Sequence, residues 1–348
     1  MKKELLIVVA LVLLATGILF ALNLTSGKPN MHKNGFNRNF STTAIEEARR
    51  IHFDAPMYKV CGVSNDSIFF TGKLPGKIYL ATQQFKEVDT FNLHLVNIPG
   101  LWTEFQTYVE YPQAYILGGN AKCIISANLR TGQHTIDTLA TNGPFGNTVR
   151  VGPETYIMRR INHFTLNADF IKLNSVIKVI TSEKGLSIPL ADAGFTYDGM
   201  LNYDQSTKRL IFVPFYNNNI ICFDSSFQVL YKSHTIDTNQ TAKSQIVNKG
   251  SQSVTFKEPP VMLNSYSWVY NGSLFVLSKL QADNEKETVF DEHLPIDEYD
   301  IRTGKYLQSY QLPVVHGQKL VSVYMTGNTA FLGLYEKDII QYRFQRNN

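Results

Sequence analysis

The run Tyr203-Asp204-Gln205-Ser206-Thr207-Lys208-Arg209-Leu210-Ile211-Phe212-Val213-Pro214-Phe215-Tyr216-Asn217-Asn218-Asn219-Ile220-Ile221-Cys222-Phe223-Asp224 decides the fold. Arg209 to Val213 and Asn219 to Phe223 read as short apolar strands, and Gln228 to Tyr231 supplies the next one. Polar turns rich in Asp, Ser and Asn separate them, so one small antiparallel sheet is spelled out within a few dozen residues.

The same unit recurs on both sides. Upstream it is carried by Asp66–Phe70, Gly76–Leu80 and Phe85–Asp89, then by Ala114–Leu117, Lys122–Ser126 and Gln133–Ile136. A fainter third unit contains Thr155–Met158 and His163–Asn167. Downstream, Ser273–Leu277 and Pro295–Asp300 flank a charged insertion, and Thr329–Leu334 with Asp338–Phe344 form the last unit. Asn128-Leu129-Arg130-Thr131-Gly132 and Asp300-Ile301-Arg302-Thr303-Gly304 mark the same outer hairpin turn, with Asp224-Ser225-Ser226-Phe227 in its place in the fourth unit. Asx side chains bond their own turn backbone and glycine accepts the left-handed dihedral. His134–Thr138 and His234–Thr238 repeat one pentapeptide and read as a shared outer-strand solution.

Spacings near 40 residues, with two longer steps, fit four-stranded blades stacked around an axis. The expected fold is an all-β, six-bladed β-propeller, with five or seven blades as alternative counts and a β-sandwich as the competing architecture. The last unit runs out of chain after its third strand, so residues near 51–61 are expected to supply its outer strand and close the ring.

Aromatics make up 12% of the 348 residues, suiting sheet surfaces, and a net charge of +4 without a basic-aromatic patch argues against nucleic acid. Leu5 to Leu24 carries no charge and would span about 30 Å as a helix. Residues 1–24 are therefore expected to be a transmembrane signal anchor, 25–50 a polar stalk with a short helix over Ala44–Ile51, and 51–348 the propeller. A cleaved export signal is the alternative. This places the chain in the cell inner membrane, single-pass, with an extracytoplasmic (periplasmic) domain and the membrane as a partner. Cys61, Cys123 and Cys222 sit in strand-like contexts, are odd in number, and read as buried free thiols.

The repeat resembles six-bladed propellers of exported bacterial proteins, the TolB-like and NHL-like kinds. The phrase from Asp198-Gly199-Met200 to Asp224 is similar to uncharacterised membrane-tethered propellers of Bacteroidetes-type bacteria. The resemblance covers about residues 60–345, implies an extracytoplasmic ring, and carries no catalytic residue onto this chain.

No phosphate loop, zinc helix or nucleophile elbow is present. Some propellers hold a divalent metal on the axis with oxygen ligands, for which Glu110, Asp198, Asn202 and Asn264 are the candidates. Spacing alone does not bring them together, and neither metal nor other cofactor is expected. Tyr108, Glu110 and Tyr111, and Phe215, Tyr216 and Asn217, pair aromatic faces with polar groups suited to recognition. Arg159, Arg160 and His163 form the densest cationic stretch; adjacent arginines on a strand face opposite ways, so the stretch reads as a solvated strand edge, with one arginine on an anionic ligand and the other in solvent as the alternative. The insertion Gln281–His293, with five acids and one lysine, reads as a solvated excursion. The functional expectation is a non-enzymatic recognition domain for a protein or peptide. A metal-dependent hydrolase or lyase on the axis and a glycan-binding module are the alternatives.

Overall fold

The computed structural model describes residues 12–17, 33–53, 57–64, 66–83, 85, 88–95, 98–183, 185–187, 190, 192–239, 246–248 and 254–346. Six four-stranded antiparallel sheets follow one another along the chain. Blade I begins with the inner strand Lys59–Val63, blade II with Phe105–Glu110, blade III with Phe145–Gly152 and blade IV with Gly199–Asp204. Blades V and VI begin with Asn264–Tyr270 and Leu320–Gly327. Each inner strand starts at one rim of the ring, here called the upper face, and ends at the lower face. The two longer spacings in the sequence fall between Ser182 and Gly199 and after His234, where the described residues include the small hairpin Ile246–Asn248/Val254–Phe256 ahead of Asn264.

The hydrophobic core lies between blades. Phe69 and Ile78 of blade I meet Val109 and Ile116 of blade II in one cluster, and comparable clusters fill the next interfaces. The sixth cluster packs Phe70 and Tyr79 of blade I against Leu332 and Ile339 of blade VI. That contact closes the circle and excludes a two-sheet sandwich. Stacking is what gives each blade a second apolar surface to bury.

The closing strand is Thr43–His52, paired antiparallel with Asp338–Arg346 from Thr43↔Arg346 to His52↔Asp338. Closure thus uses residues ahead of the expected 51–61 segment and occupies what read as stalk and short helix. Thr43–His52 takes the outer edge of its sheet, where a largely exposed strand carrying Glu46, Glu47, Arg49 and Arg50 is well suited. The third strand of blade III is Ala168–Asn174, with 163–167 in the turn before it.

The membrane anchor is corrected. Among the described residues no helix is long and apolar enough to cross a membrane. The helical residues described within Leu5–Leu24 are 12–17, about 9 Å of helix against a layer of about 30 Å; the rest of that stretch lies outside the described residues. The single-pass topology, the inner-membrane and periplasmic placement, the membrane as partner, and the tethered recognition role built on them are therefore not retained.

The charged insertion is not a free excursion. Its residues grip the segment ahead of the closing strand: Asp283 accepts from the Asn34 amide at 2.7 Å, and Asn284 exchanges hydrogen bonds with the Arg38 backbone. The Arg38 guanidinium then enters blade V, bonding Glu285 at 2.9 Å and Asp297 at 2.8 Å. A short helix, Glu287–Glu292, leads from this clasp back into blade V.

The outer turns match the sequence reading. Gly132 and Gly304 have φ of +71° and +69°, and each donates its amide to the Asx residue's carbonyl at 2.8 Å. In blade IV Phe227 takes the left-handed position at φ +69°. The repeated pentapeptide, in contrast, is not equivalent: His134–Thr138 is the whole outer strand of blade II, whereas His234 ends that of blade IV.

Candidate functional site

A channel of about 280 Å³ runs along the axis, walled by all six inner strands, with Lys59, Gln106, Thr148, Asn202, Trp268 and Tyr324 among its residues. At the upper face a cavity of about 400 Å³ is lined by Glu104, Asn147, Arg159, Asp198 and Phe215. Asn147 borders both spaces, so the cavity forms a mouth beside the channel.

Local backbone features place these groups. The register of blade III shifts between Gly146 and Val149, a bulge in which Asn147 has φ +45°. Bulges re-aim side chains at functional rims. Glu104 immediately precedes the inner strand of blade II, and its carbonyl accepts the Gly119 amide at 2.9 Å. A Cβ on Gly119 would lie 1.8 Å from the Phe145 carbonyl oxygen and 2.9 Å from Glu104, so only glycine permits this approach. Asp198 precedes the inner strand of blade IV, and its carboxylate accepts the Gly199 amide at 2.9 Å.

The two adjacent arginines part company. Both are buried, contrary to the expectation of a solvated strand edge, because blade III packs on both of its neighbours. Arg160 is held by four hydrogen bonds: to both carboxylate oxygens of Asp169, to the Thr141 carbonyl at 3.0 Å and to the Ser182 hydroxyl at 3.3 Å. Arg159 is 8% exposed yet makes one long hydrogen bond, 3.4 Å to the Gly194 carbonyl, and one loose ion pair, 3.7 Å to Asp198. It rests over the Phe212 ring at 5.3 Å. A buried guanidinium has five donors to satisfy, and this one is left with capacity facing the cavity.

The mouth is electrostatically tense. Burial, helped by Asp198, pushes the Glu104 carboxyl above the usual range, with Lys59 opposing. Burial also raises Asp198, against Arg159 and the Gly199 amide. Lys59 is an exposed residue of the channel wall; enclosure by the surrounding blades lowers its ammonium, with Cys61 and Glu104 opposing. Arg159 is lowered by burial and supported by Asp198, but remains cationic. Carboxyls inclined to hold a proton therefore sit near an amine inclined to release one, beside a fixed positive charge. Such a set can bind an anionic group and move protons.

Of the residues singled out in sequence, Arg159, Asp198 and Phe215 reach this mouth. Tyr216 stands beside it against Phe256 at 5.5 Å, and Asn217 is buried as a turn brace for the Asn219 amide. His163 lies in the upper turn next to the exposed Phe164. Tyr108 is in the inner wall, donating to the Thr148 carbonyl at 2.6 Å, with burial pushing its phenol up. Glu110 and Tyr111 belong to the lower face, where Arg150 meets Glu110 at 2.9 Å and Tyr111 stacks on Phe69 at 5.7 Å. The oxygen candidates for a metal are likewise dispersed: Glu110 below, Asn202 bonded to Ser267 in mid-channel, Asn264 bonded to the Pro214 carbonyl, Asp198 above. Among the described residues no group of three or more His, Cys, Asp or Glu is arranged to hold a metal ion. Glu104, Lys59 and Asn147 were not anticipated; the one available signal was their position at or just before an inner strand.

No family model matches the chain, and no curated protein does. Its fold is similar to that of a member of the DUF4221 family from Bacteroides vulgatus, with a TM-score of 0.57 at 11% identity over 89% of this chain and 99% of that one. A structural-genomics protein of unknown function from Bacteroides thetaiotaomicron matches with a TM-score of 0.52 at 11% identity, over 87% and 76%. A catalytically inactive variant of virginiamycin B lyase from Staphylococcus aureus, solved with quinupristin, matches with a TM-score of 0.51 at 10% identity, over 86% and 99%. At these identities the likeness establishes the six-bladed propeller and nothing finer.

Proposed function

We propose that the chain is a lyase that works on a small anionic substrate at the upper mouth of the channel. The observation that carries this reading is Arg159, buried and underused, facing a cavity it shares with the carboxyls of Glu104 and Asp198, both raised by burial. The guanidinium holds an anionic substituent of the substrate in a two-pronged grip. Lys59, in its neutral form, removes a proton from carbon; that electron pair becomes the new double bond. The bond to the leaving group breaks, and Glu104 or Asp198 delivers the proton that the departing atom needs. Burial moves the carboxyl up and the amine down, each toward the operating pH at which a general acid or base works best. A lyase stands among the similar folds, which agrees with this reading, as does the channel adjoining the mouth.

The test combines binding and turnover. A panel of small carboxylates bearing a leaving group one carbon from an acidic C–H is incubated with the full chain, and new double bonds are followed by absorbance. Arg159→Gln is expected to weaken binding at least tenfold, and Glu104→Gln or Lys59→Met to lower turnover with smaller changes in binding. Absence of any turnover by wild type, or Arg159→Gln binding as tightly as wild type, overturns the proposal.

A further inference from the structure

A second cavity, about 490 Å³, opens at the lower face between blades V and VI. Its deepest charged group is Glu298, 9% exposed, on the third strand of blade V. The carboxylate accepts from the Ser273 hydroxyl at 2.7 Å, the Gln308 amide at 3.0 Å and the Tyr310 hydroxyl at 2.8 Å. None of these donors is charged, and among the described residues no lysine, arginine or histidine pairs with it. A buried carboxylate without a counter-charge is costly unless something cationic joins it.

The rest of the lining is uncharged, with aromatic rings set among hydroxyl and amide side chains. Tyr270, Phe275, Tyr310 and Phe344 contribute to its walls, and Asn271 and Asn328 stand at the rim. Three of the roughly four lone-pair directions of the carboxylate are occupied. An alkylated ammonium needs only the negative charge and the ring faces, which attract it through their quadrupoles. We propose that this cleft binds an alkylated organic ammonium.

The cleft also has a lid of its own chain. Ser41, Thr42 and Thr43 line it, between the Ser41 amide bonded to the Ser309 carbonyl of blade V at 2.8 Å and the closing strand of blade VI. The occupant therefore touches both blades and the segment that joins them. Nothing in this site shares a residue with the upper mouth.

Calorimetric titration of the full chain with choline, and with 3,3-dimethyl-1-butanol as its uncharged isostere, tests the assignment. Choline is expected to bind at least tenfold more tightly than the alcohol. Glu298→Gln and Tyr270→Leu should each weaken choline at least tenfold, while Glu104→Gln leaves choline binding unchanged. Equal binding of choline and the alcohol, or no binding of choline at all, overturns the proposal. So does unchanged choline affinity in Glu298→Gln, or in Tyr270→Leu should the first variant fail to fold.

Discussion

The Arg38 guanidinium lies 2.8 Å from the Asp297 carboxylate, with both side chains almost wholly withdrawn from solvent. The cation comes from the segment ahead of the closing strand and the anion from blade V, with Glu285 as a second partner at 2.9 Å. Removing one member of a buried ion group leaves the others uncompensated, which costs about 3–5 kcal/mol. Arg38→Met is expected to lose stability on that scale in urea unfolding. Adding Glu285→Gln and Asp297→Asn should restore most of it, since no buried charge then remains unpaired.

Glu104 and Asp198 are acids whose native pKa values are raised, chiefly by burial. The folded chain therefore keeps protons that the unfolded chain has released, and stability falls as pH rises from about 4 through the raised values. Glu104→Gln should flatten part of this decline and be more stable than wild type at neutral pH. Urea midpoints measured across the range check it; parallel curves for the two proteins contradict it.

Asp338 behaves in the opposite sense. Burial pushes its carboxyl up, but His52, Gln318 and Arg50 together outweigh that and hold it below the ordinary range. Its contribution is present above the unfolded value of about 4 and is lost as pH falls through the native one. His52 lies 2.8 Å away on the closing strand, so acid should loosen this seam. Protection factors of the amides in residues 43–52, referred to the intrinsic exchange rate at each pH, are expected to fall at low pH in wild type and to be already lower at neutral pH in Asp338→Ala.

All three cysteines are buried and free. Burial pushes the Cys61 thiol up to about 12, and raises Cys123 and Cys222 as well. Thiolate is the reactive form, so iodoacetamide at pH 8 should label none of them in the folded protein and all three in urea. Labelling of any one in the native state would contradict the packing described above.

Turn chemistry made the blades readable. The Asx and glycine at Asn128/Gly132 and Asp300/Gly304 have local jobs that any chain must solve locally, so their pattern survives in the sequence. What was hidden depends on distance along the chain. Asp283, Asn284 and Glu285 looked like solvated charge because their partners, Asn34 and Arg38, stand far upstream. Arg159 and Arg160 are adjacent, chemically identical and differently employed, a distinction made by Asp169 on the next strand and by the turn at Gly194. Glu104 and Lys59 had no periodic signature at all; the ring brings the starts of the inner strands together, and residue spacing does not encode which of them meet. The apolar run at the start of the chain has no described helix of sufficient length to match its hydropathy.

Thr43 pairs with Arg346, about three hundred residues later in the chain. During synthesis the first of these leaves the ribosome long before its partner exists, by roughly 15–60 s at ordinary elongation rates. For that interval Thr43–His52 is a strand without a sheet, its backbone open to the wrong neighbour. Sealing of the ring waits for Asp338–Arg346, and a nascent chain stopped before that segment would emerge as an unsealed arc.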